Sequence, residues 1–168
     1  MSILKVNTIQ KKDGTDFPLG KIGQVVHGTT TTSISSTSTS YSDTNFSVNI
    51  TPSSASSKIF ILSNNAFQIF GNSATTDFHG NFKIVRTVSA TDTDVYAEAS
   101  ASGNPRLNNA YSNTAYLHDN LTLIGLDSPN TTSQCSYRIF QRAGGSGGTG
   151  RITFANNLST MTLMEVLA

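Results

Sequence analysis

Residues with catalytic or metal-binding chemistry are few in this chain and lie far apart. The histidines His27, His79 and His118 show none of the close spacing by which metal ligands usually cluster. Cys135 is the only cysteine, which excludes a disulfide framework and a cysteine-based zinc site. A lone cysteine is more often a small buried hydrophobe than a nucleophile. The sequence therefore predicts no metal, no cofactor and no catalytic residue.

Two short motifs suggest chemistry but have simpler explanations. GSGGTG, at residues 145–150, matches the glycine pattern of a dinucleotide-binding turn, which must lead directly into a helix. RITFA follows instead and is typical of a strand, so we expect a hairpin loop. Asp92 and Asp94 in ATDTDVY could bind calcium, but the further carboxylates of a calcium loop are missing. We expect a solvated loop at this place.

A polysaccharide depolymerase is the remaining enzymatic alternative, and a remote one. Glycoside cleavage needs two carboxylates about 5–10 Å apart in a groove. The 10 acidic residues are scattered along the chain, and no pair among them stands out. We therefore expect a protein that is not an enzyme.

One polar segment, NNAYSNTAYLHDN, has the composition of a binding loop. Tyr111, Tyr116 and His118 stand there among Ser, Asn and Thr. Tyrosine combined with serine and asparagine is typical of adaptable recognition surfaces. The same composition is typical of a long loop anchored by two aromatic side chains. These three residues are candidates for receptor contact, with a scaffolding role as the alternative.

Alternation of apolar and polar residues, the pattern of β-strands, recurs along the chain, whereas helical periodicity is absent. In NFSVNIT, Phe46, Val48 and Ile50 share one face. KIFIL is apolar on both faces, which predicts a central strand. Further strands are predicted in FKIVRTV, LTLIGL, YRIFQ, RITFA and MTLMEVL, with turn residues between them. About seven or eight short strands predict an all-β fold, an antiparallel jelly-roll β-sandwich.

The composition limits the possible partners. Only 12% of the residues are charged, and the formal net charge is +1. Nucleic-acid binding depends on several Lys or Arg residues that neutralise phosphates, so we expect no nucleic-acid partner. The beginning, MSILKVNTIQKKDG, has neither the apolar core of a secretion signal nor the length of a membrane span. We expect a protein made in a cytoplasm, with no membrane insertion.

The first residues differ from the remainder of the chain. They combine a cluster of lysines with little pattern that could form a core. We predict an extended N-terminal arm, residues 1–21, that contacts another chain, followed by a head domain, residues 22–168. The candidate docking residues of the arm are Lys5, Val6, Ile9, Lys11 and Lys12.

The final segment, MTLMEVL, is largely apolar on both faces if it forms a strand. The outer face of a sandwich strand is usually wet, so additional cover indicates a subunit interface. Glu165 would need a partner there, because a buried unpaired charge is costly. Arg86 falls in register with the apolar Phe82, Ile84 and Val88, either as a snorkelling side chain or as one half of an interface ion pair. The predicted interface comprises Arg86, Met161, Leu163, Met164, Glu165, Val166 and Leu167.

Several stretches together resemble a group of phage virion proteins, the tail fibre or virion structural proteins of marine and cyanobacterial phages. The stretches are ILKVNTIQ, GKIGQVVHGTTT, SVNITPSSASSKIFIL, FKIVRTV, LDSPNTTSQCSYRIFQR and STMTLMEVLA, and they cover most of the chain. The resemblance implies a homotrimeric jelly roll of the tumour-necrosis-factor and complement-head type, located in the virion. It implies an arm that binds other virion proteins and a head that projects from the particle.

Two functions are consistent with that resemblance. The head could present a surface that recognises a glycan or protein of the host. It could also be purely architectural, as a head fibre, decoration protein or collar fibre without a receptor. The variable region between Gly71 and Tyr116 is where a receptor site would be expected.

Overall fold

The computed structural model describes residues 21–71, 77–97, 106–108, 115–146, 150–155 and 157–167. This part of the chain is built of strands, and it holds no helix long and apolar enough to cross a membrane. The strands are β1 (Lys21–Thr30), β2 (Ile34–Ser36), β3 (Ser42–Ile50), β4 (Lys58–Gly71), β5 (Asp77–Val88), β6 (Thr91–Ala97), β7 (Arg106–Asn108), β8 (Ala115–Asp127), β9 (Cys135–Ser146), β10 (Arg151–Phe154) and β11 (Ser159–Leu167).

The strands form two antiparallel sheets. Sheet I contains β1, β2, β4, β8, β10 and β11, and sheet II contains β3, β5, β6, β7 and β9. Three strand positions are each split into two strands. β1 and β2 follow one another beside β11 and β10, β10 and β11 both pair with β4, and β6 and β7 both pair with β5. Counted this way, eight strand positions remain.

The order of these positions defines the fold. We number the eight strand positions in the order in which they occur along the chain. Sheet I then contains positions 1, 8, 3 and 6 from one edge to the other, and sheet II contains positions 2, 7, 4 and 5. Two four-stranded sheets connected in this order are a jelly roll, made of two Greek keys. The all-β jelly-roll prediction is confirmed.

The core lies between the two sheets and is formed by alternate residues of each strand. Phe46, Val48 and Ile50 of β3 point inward as predicted, and each is at most 5% exposed. The segment KIFIL opens β4, which lies between β8 and β11 in the middle of sheet I. The prediction of a central strand at this place is therefore confirmed.

Two sequence-based expectations about loops are corrected by the strand order. The first two residues of the GSGGTG tract end β9 of sheet II, and the next strand, β10, belongs to sheet I, so β9 and β10 do not form a hairpin. A strand follows it, which excludes the dinucleotide-binding interpretation. The segment ATDTDVY, expected as a solvated loop, forms most of β6.

The sandwich has two ends with different roles. We call the end where β1 begins and β11 finishes the base, and the opposite end the tip. β1 begins at Lys21, one residue before the predicted boundary between arm and head. The docking candidates Lys5, Val6, Ile9, Lys11 and Lys12 lie outside the described residues, so their role stays a prediction.

Candidate functional site

The last strand, β11, contributes one face to the core and the other to the outer surface. Met161, Leu163 and Glu165 point inward and are at most 1% exposed. These three therefore have no surface to offer another chain, and their placement at an interface is corrected. Met164 and Val166 lie on the outer face and are half-buried there. Leu167, at the end of the strand, is also half-buried.

Glu165 finds its partners within its own chain. Its carboxylate accepts hydrogen bonds from the Ser53 backbone N–H at 2.6 Å, the Ser53 hydroxyl at 2.7 Å and the Gln24 side-chain amide at 2.8 Å. Burial alone would raise the pKa of Glu165, but these hydrogen bonds outweigh it and lower the pKa to about 2. Glu165 thus joins β1, the loop after β3 and β11 at the base.

Arg86 is also engaged inside the chain, at the base and between the sheets. Its guanidinium Nη1 contacts the Asp127 carboxylate at 2.6 Å, and the Tyr137 hydroxyl donates a hydrogen bond to the same carboxylate at 2.7 Å. Burial, together with this bond, raises the pKa of Tyr137. Arg86 shares the inward face of β5, as its register predicted. Its ion pair links sheet II to sheet I within one chain, which corrects both the interface and the snorkelling interpretations.

The outer face of sheet I carries an apolar surface at its basal half. Val25, Met164, Phe60 and Leu126 are register partners across β1, β11, β4 and β8. Val25 and Leu126 are each 57% exposed. The rows on either side add four more apolar residues. We call this surface the apolar half; it consists of Ile22, Val25, Phe60, Leu62, Ile124, Leu126, Met164 and Val166.

The apolar half is large for a surface that faces water. Its eight positions, with strands about 4.8 Å apart and rows about 6.8 Å apart, cover roughly 260 Å². A patch of this size approaches the largest on typical monomers, and such patches are often functional. The ionisable side chains in these rows are Lys58 and His27. An exposed apolar surface with little charge is a candidate contact face for another protein.

The outer face of sheet II has the opposite character. Arg138 pairs with Asp43 at 2.6 Å and with Asp92 at 2.8 Å, and Lys83 pairs with Asp94 at 2.7 Å. Aromatic rings lie between these charges: the Lys83 ammonium is 4.9 Å from the centre of the Tyr41 ring. Asp92 and Asp94, considered above as calcium ligands, are therefore partners of basic side chains. Five charged side chains of this face, Asp43, Lys83, Asp92, Asp94 and Arg138, are thus paired within one chain.

At the tip, the outer face of sheet I becomes aromatic and polar. Tyr116 and His118 lie on β8, on a strand and not in the predicted loop, and both point outward. The Tyr116 ring packs against Phe70 at 5.1 Å and against His118 at 6.3 Å. Arg151 lies 5.2 Å from the centre of the Phe70 ring on the other side. Tyr111, the third predicted receptor residue, falls outside the described residues.

A shallow cavity of about 250 Å³ adjoins this aromatic group. Ala66 and Phe67 line it as its apolar part, and the polar lining residues are His118, Asp119, Asn120 and Asn157. The Gln68 amide nitrogen lies 3.1 Å from His118 Nε2 at the margin. We call Phe70, Tyr116, Gln68, His118 and the cavity residues together the tip half of sheet I.

The structure does not bring the histidines and the cysteine together. His27 contacts Thr162 on the outer face of sheet I, His79 is buried in sheet II, and His118 lies at the tip. Cys135 is buried and free. In the described parts of the chain, no group of three His, Cys, Asp or Glu residues could hold a metal ion.

Comparison with known proteins finds distant structural similarity only. Neither a family model nor a curated protein matches the chain. The crystal structure of the infectious bursal disease virus VP2 subviral particle is similar at 16% identity, with a TM-score of 0.39, over 97% of this chain and 43% of that chain. The structure of the Gt strain of the same virus is similar at 14% identity, with a TM-score of 0.37, over 97% and 43%. The chain thus spans under half of these proteins, and the fold rests on its own strand order.

Proposed function

We propose that this protein is a non-enzymatic structural component of a bacteriophage virion, a homotrimeric tail fibre or appendage that assembles through the apolar half of sheet I. The observation that carries the proposal is the in-register row of Val25, Met164, Phe60 and Leu126, which faces outward across four strands and is exposed at Val25 and Leu126. The number of subunits and the phage origin come from the sequence resemblance.

Burial of the apolar half would release a useful amount of free energy. At about 25 cal/mol per Å², its roughly 260 Å² contribute ~6 kcal/mol per subunit before the costs of association. Association itself costs about 4–15 kcal/mol, so two or three such faces are needed to hold an assembly together. A surface of this kind is therefore consistent with self-assembly and would be a liability on a solitary chain.

A second copy of this chain is the occupant that the charges favour. Among the described residues, the only ionisable side chains that share the three rows of the apolar half are Lys58 and His27, so copies of this surface can approach one another without strong repulsion. On sheet II, by contrast, Asp43, Lys83, Asp92, Asp94 and Arg138 are already paired within the chain. In a ring of three subunits the same surface of each subunit can face the threefold axis, which is one of the closed symmetries common among homo-oligomers.

The two ends of the sandwich suit an appendage. The predicted arm enters the head at the base, beside the start of β1, and would attach it to other virion proteins. The tip half lies at the other end of sheet I, where it would face the host. The alternative is a purely architectural protein without a receptor. Such a protein would form the same trimer, but its tip half would recognise nothing on the host.

The arrangement of the carboxylates disfavours the depolymerase alternative. Asp43, Asp92, Asp94 and Asp127 are in ion pairs, and Glu165 is held by three hydrogen bonds. A catalytic pair would have to face a shared groove with room for a sugar. These five side chains instead stabilise the fold.

Sedimentation of charge variants tests the assembly. Ile124 and Leu126 are 55% and 57% exposed in the single chain, so Ile124→Lys and Leu126→Lys should leave the fold intact. We expect the wild-type chain to sediment at three times its 17.9 kDa mass and both variants to sediment as single chains. Asn49→Lys adds the same charge to the outer face of sheet II and should leave the trimer unchanged.

Three results would contradict the proposal. A monomeric wild-type chain would remove the assembly, and trimeric Lys variants would place the interface elsewhere. Dissociation by Asn49→Lys as well would show that added charge, and not its position, disrupts the particle. Circular dichroism of each sample separates dissociation from unfolding.

A further inference from the structure

We infer that the tip half of sheet I is a binding site for a neutral oligosaccharide, with Tyr116 as its stacking platform. This inference deepens the recognition role and rests on the proposed function for its biological meaning. The site itself stands on the geometry of the described residues.

The platform is an exposed aromatic ring with rigid support. Tyr116 is 55% exposed, although its ring is fixed against Phe70. Phe70 in turn is held from the other side by Arg151. An aromatic ring of this kind is amphipathic, with an apolar face for the C–H side of a sugar and a hydroxyl for hydrogen bonds. Because the support is a strand pair, little flexibility is lost on binding.

Polar side chains continue from the platform in the direction of β8. Tyr116, His118 and Asn120 are alternate residues, so they project from the same face about 6.8 Å apart. His118 and Asn120 both line the cavity, together with Asn157 from the other side. Amides and imidazoles can donate and accept hydrogen bonds, which matches the paired hydroxyls of a sugar. The span of about 14 Å suits a short oligosaccharide better than a single sugar.

The charges favour a neutral ligand. Within the tip half, Asp119 contributes a carboxylate to the cavity, whereas the neighbouring Arg151 lies over the Phe70 ring. An anionic glycan or a nucleic acid would need several basic side chains aimed at the ligand. Hydrogen bonding with an apolar floor, formed by Ala66 and Phe67, is the chemistry available here.

The position of the site agrees with the proposed assembly. Tyr116 and Leu126 are ten residues apart on β8, which places them about 34 Å from each other along the strand. The tip half can therefore stay open while the apolar half is covered. Three copies in one trimer would bind a polymeric glycan with avidity, so that a weak single site is sufficient.

The test uses the full chain and an array of neutral and acidic oligosaccharides, followed by calorimetric titration of the neutral oligosaccharide that gives the strongest array signal. We expect binding to neutral glycans. Tyr116→Ala should weaken it at least about tenfold, whereas Tyr116→Phe keeps the ring and should stay within about threefold. Asn120→Ala removes a cavity amide without touching the aromatic packing and should also weaken binding. Thr122→Ala, next on the same face of β8, is the matched control and should bind like the wild-type chain.

The outcomes separate this inference from the assembly. A folded trimer that binds no neutral glycan overturns the inference and leaves the assembly standing. A monomer whose glycan binding is lost in Tyr116→Ala supports the inference and removes the assembly. Unchanged affinity in both Tyr116→Ala and Asn120→Ala would refute the site, as would binding confined to acidic glycans. Attachment to host cells that survives enzymatic removal of their surface glycans would identify a protein receptor instead.

Discussion

Replacement of Glu165 by Gln should make the protein less stable at neutral pH and less sensitive to acid. In the wild-type chain the carboxylate accepts three hydrogen bonds, from Ser53 twice and from Gln24. In the variant, the NH₂ group of the glutamine side chain faces at least one of the N–H or O–H groups that donate to Glu165, so that hydrogen bond is replaced by a repulsive contact between two donors. The variant keeps the shape of the side chain, which limits the change to charge and hydrogen bonding.

The pKa sets the magnitude and the sign. The pKa of Glu165 falls from the ordinary 4.5 to about 2 in the folded chain. A carboxyl group whose pKa is lowered by folding stabilises the folded chain at every pH above its pKa in the unfolded chain. This contribution disappears as the pH falls from about 5 to 2. A shift of this size corresponds to about 3 kcal/mol at most. Because Ser53, which supplies two of the three hydrogen bonds, is exposed to water, we expect about 2 kcal/mol, or roughly 4–8 °C in melting temperature.

Thermal unfolding at fixed chain concentration, from pH 7 to pH 2, measures this difference. We expect the wild-type and Glu165→Gln curves to be separated at pH 7 and to converge near pH 2. Asp94→Asn is the control, because its ion pair with Lys83 is exposed and should be worth less than about 1 kcal/mol. A constant separation at all pH values, or none at pH 7, would refute the assigned hydrogen bonds. Because Glu165 is buried within its own chain, Glu165→Lys should unfold the base. That substitution would therefore test the fold and not the interface.

Two further predictions concern single elements of the fold, beside the assembly and glycan tests above. Arg86→Met leaves the Asp127 carboxylate buried without its cation, so chemical denaturation should show a free energy of unfolding lower by about 3 kcal/mol. Tyr137→Phe removes one hydrogen bond to the same carboxylate and should lower it by about 1 kcal/mol. Equal losses would mean that the ion pair is unimportant. The two-residue turn between β5 and β6 has positive φ at Ser89 (48°) and Ala90 (65°), a geometry that favours Asn-Gly. Ser89→Asn with Ala90→Gly should therefore stabilise the chain by about 1 kcal/mol, and a lower melting temperature would contradict the turn geometry.

Regular alternation made much of the fold predictable. Phe46, Val48 and Ile50 identified the inner face of β3 because one polar residue separates each pair. β1 escaped prediction for a physical reason: a bulge between Ile22 and Val25 shifts the register, so the alternation breaks in the middle of KIGQVVHGTT. Short polar strands such as β2 and β7 carry too few apolar residues for a period to be visible.

The candidate site was predictable in part. The register of Arg86 correctly placed it on an inward face, but its partner Asp127 is 41 residues away and no local pattern connects them. Glu165 likewise depends on Gln24, at a separation of 141 residues. The apolar faces of MTLMEVL suggested an interface without showing which face was the outer one. That distinction needs the partner sheet, because only the fold decides which residues of a strand are covered.

The limits of the apolar half support the proposal that it is a contact surface. On β8 the outward residues change from Leu126 and Ile124 to Thr122, and on β4 they change from Phe60 and Leu62 to Asn64, at the same row of the sheet. On β11 and β1 the change comes one row nearer the base, between Met164 and Thr162 and between Val25 and His27. Polar residues evidently fit this face of the same four strands, so the strands do not require apolar ones. An apolar surface with a continuous boundary across four strands is expected where a second surface ends. Isolated exposed apolar residues, by contrast, are common and would be scattered over both sheets.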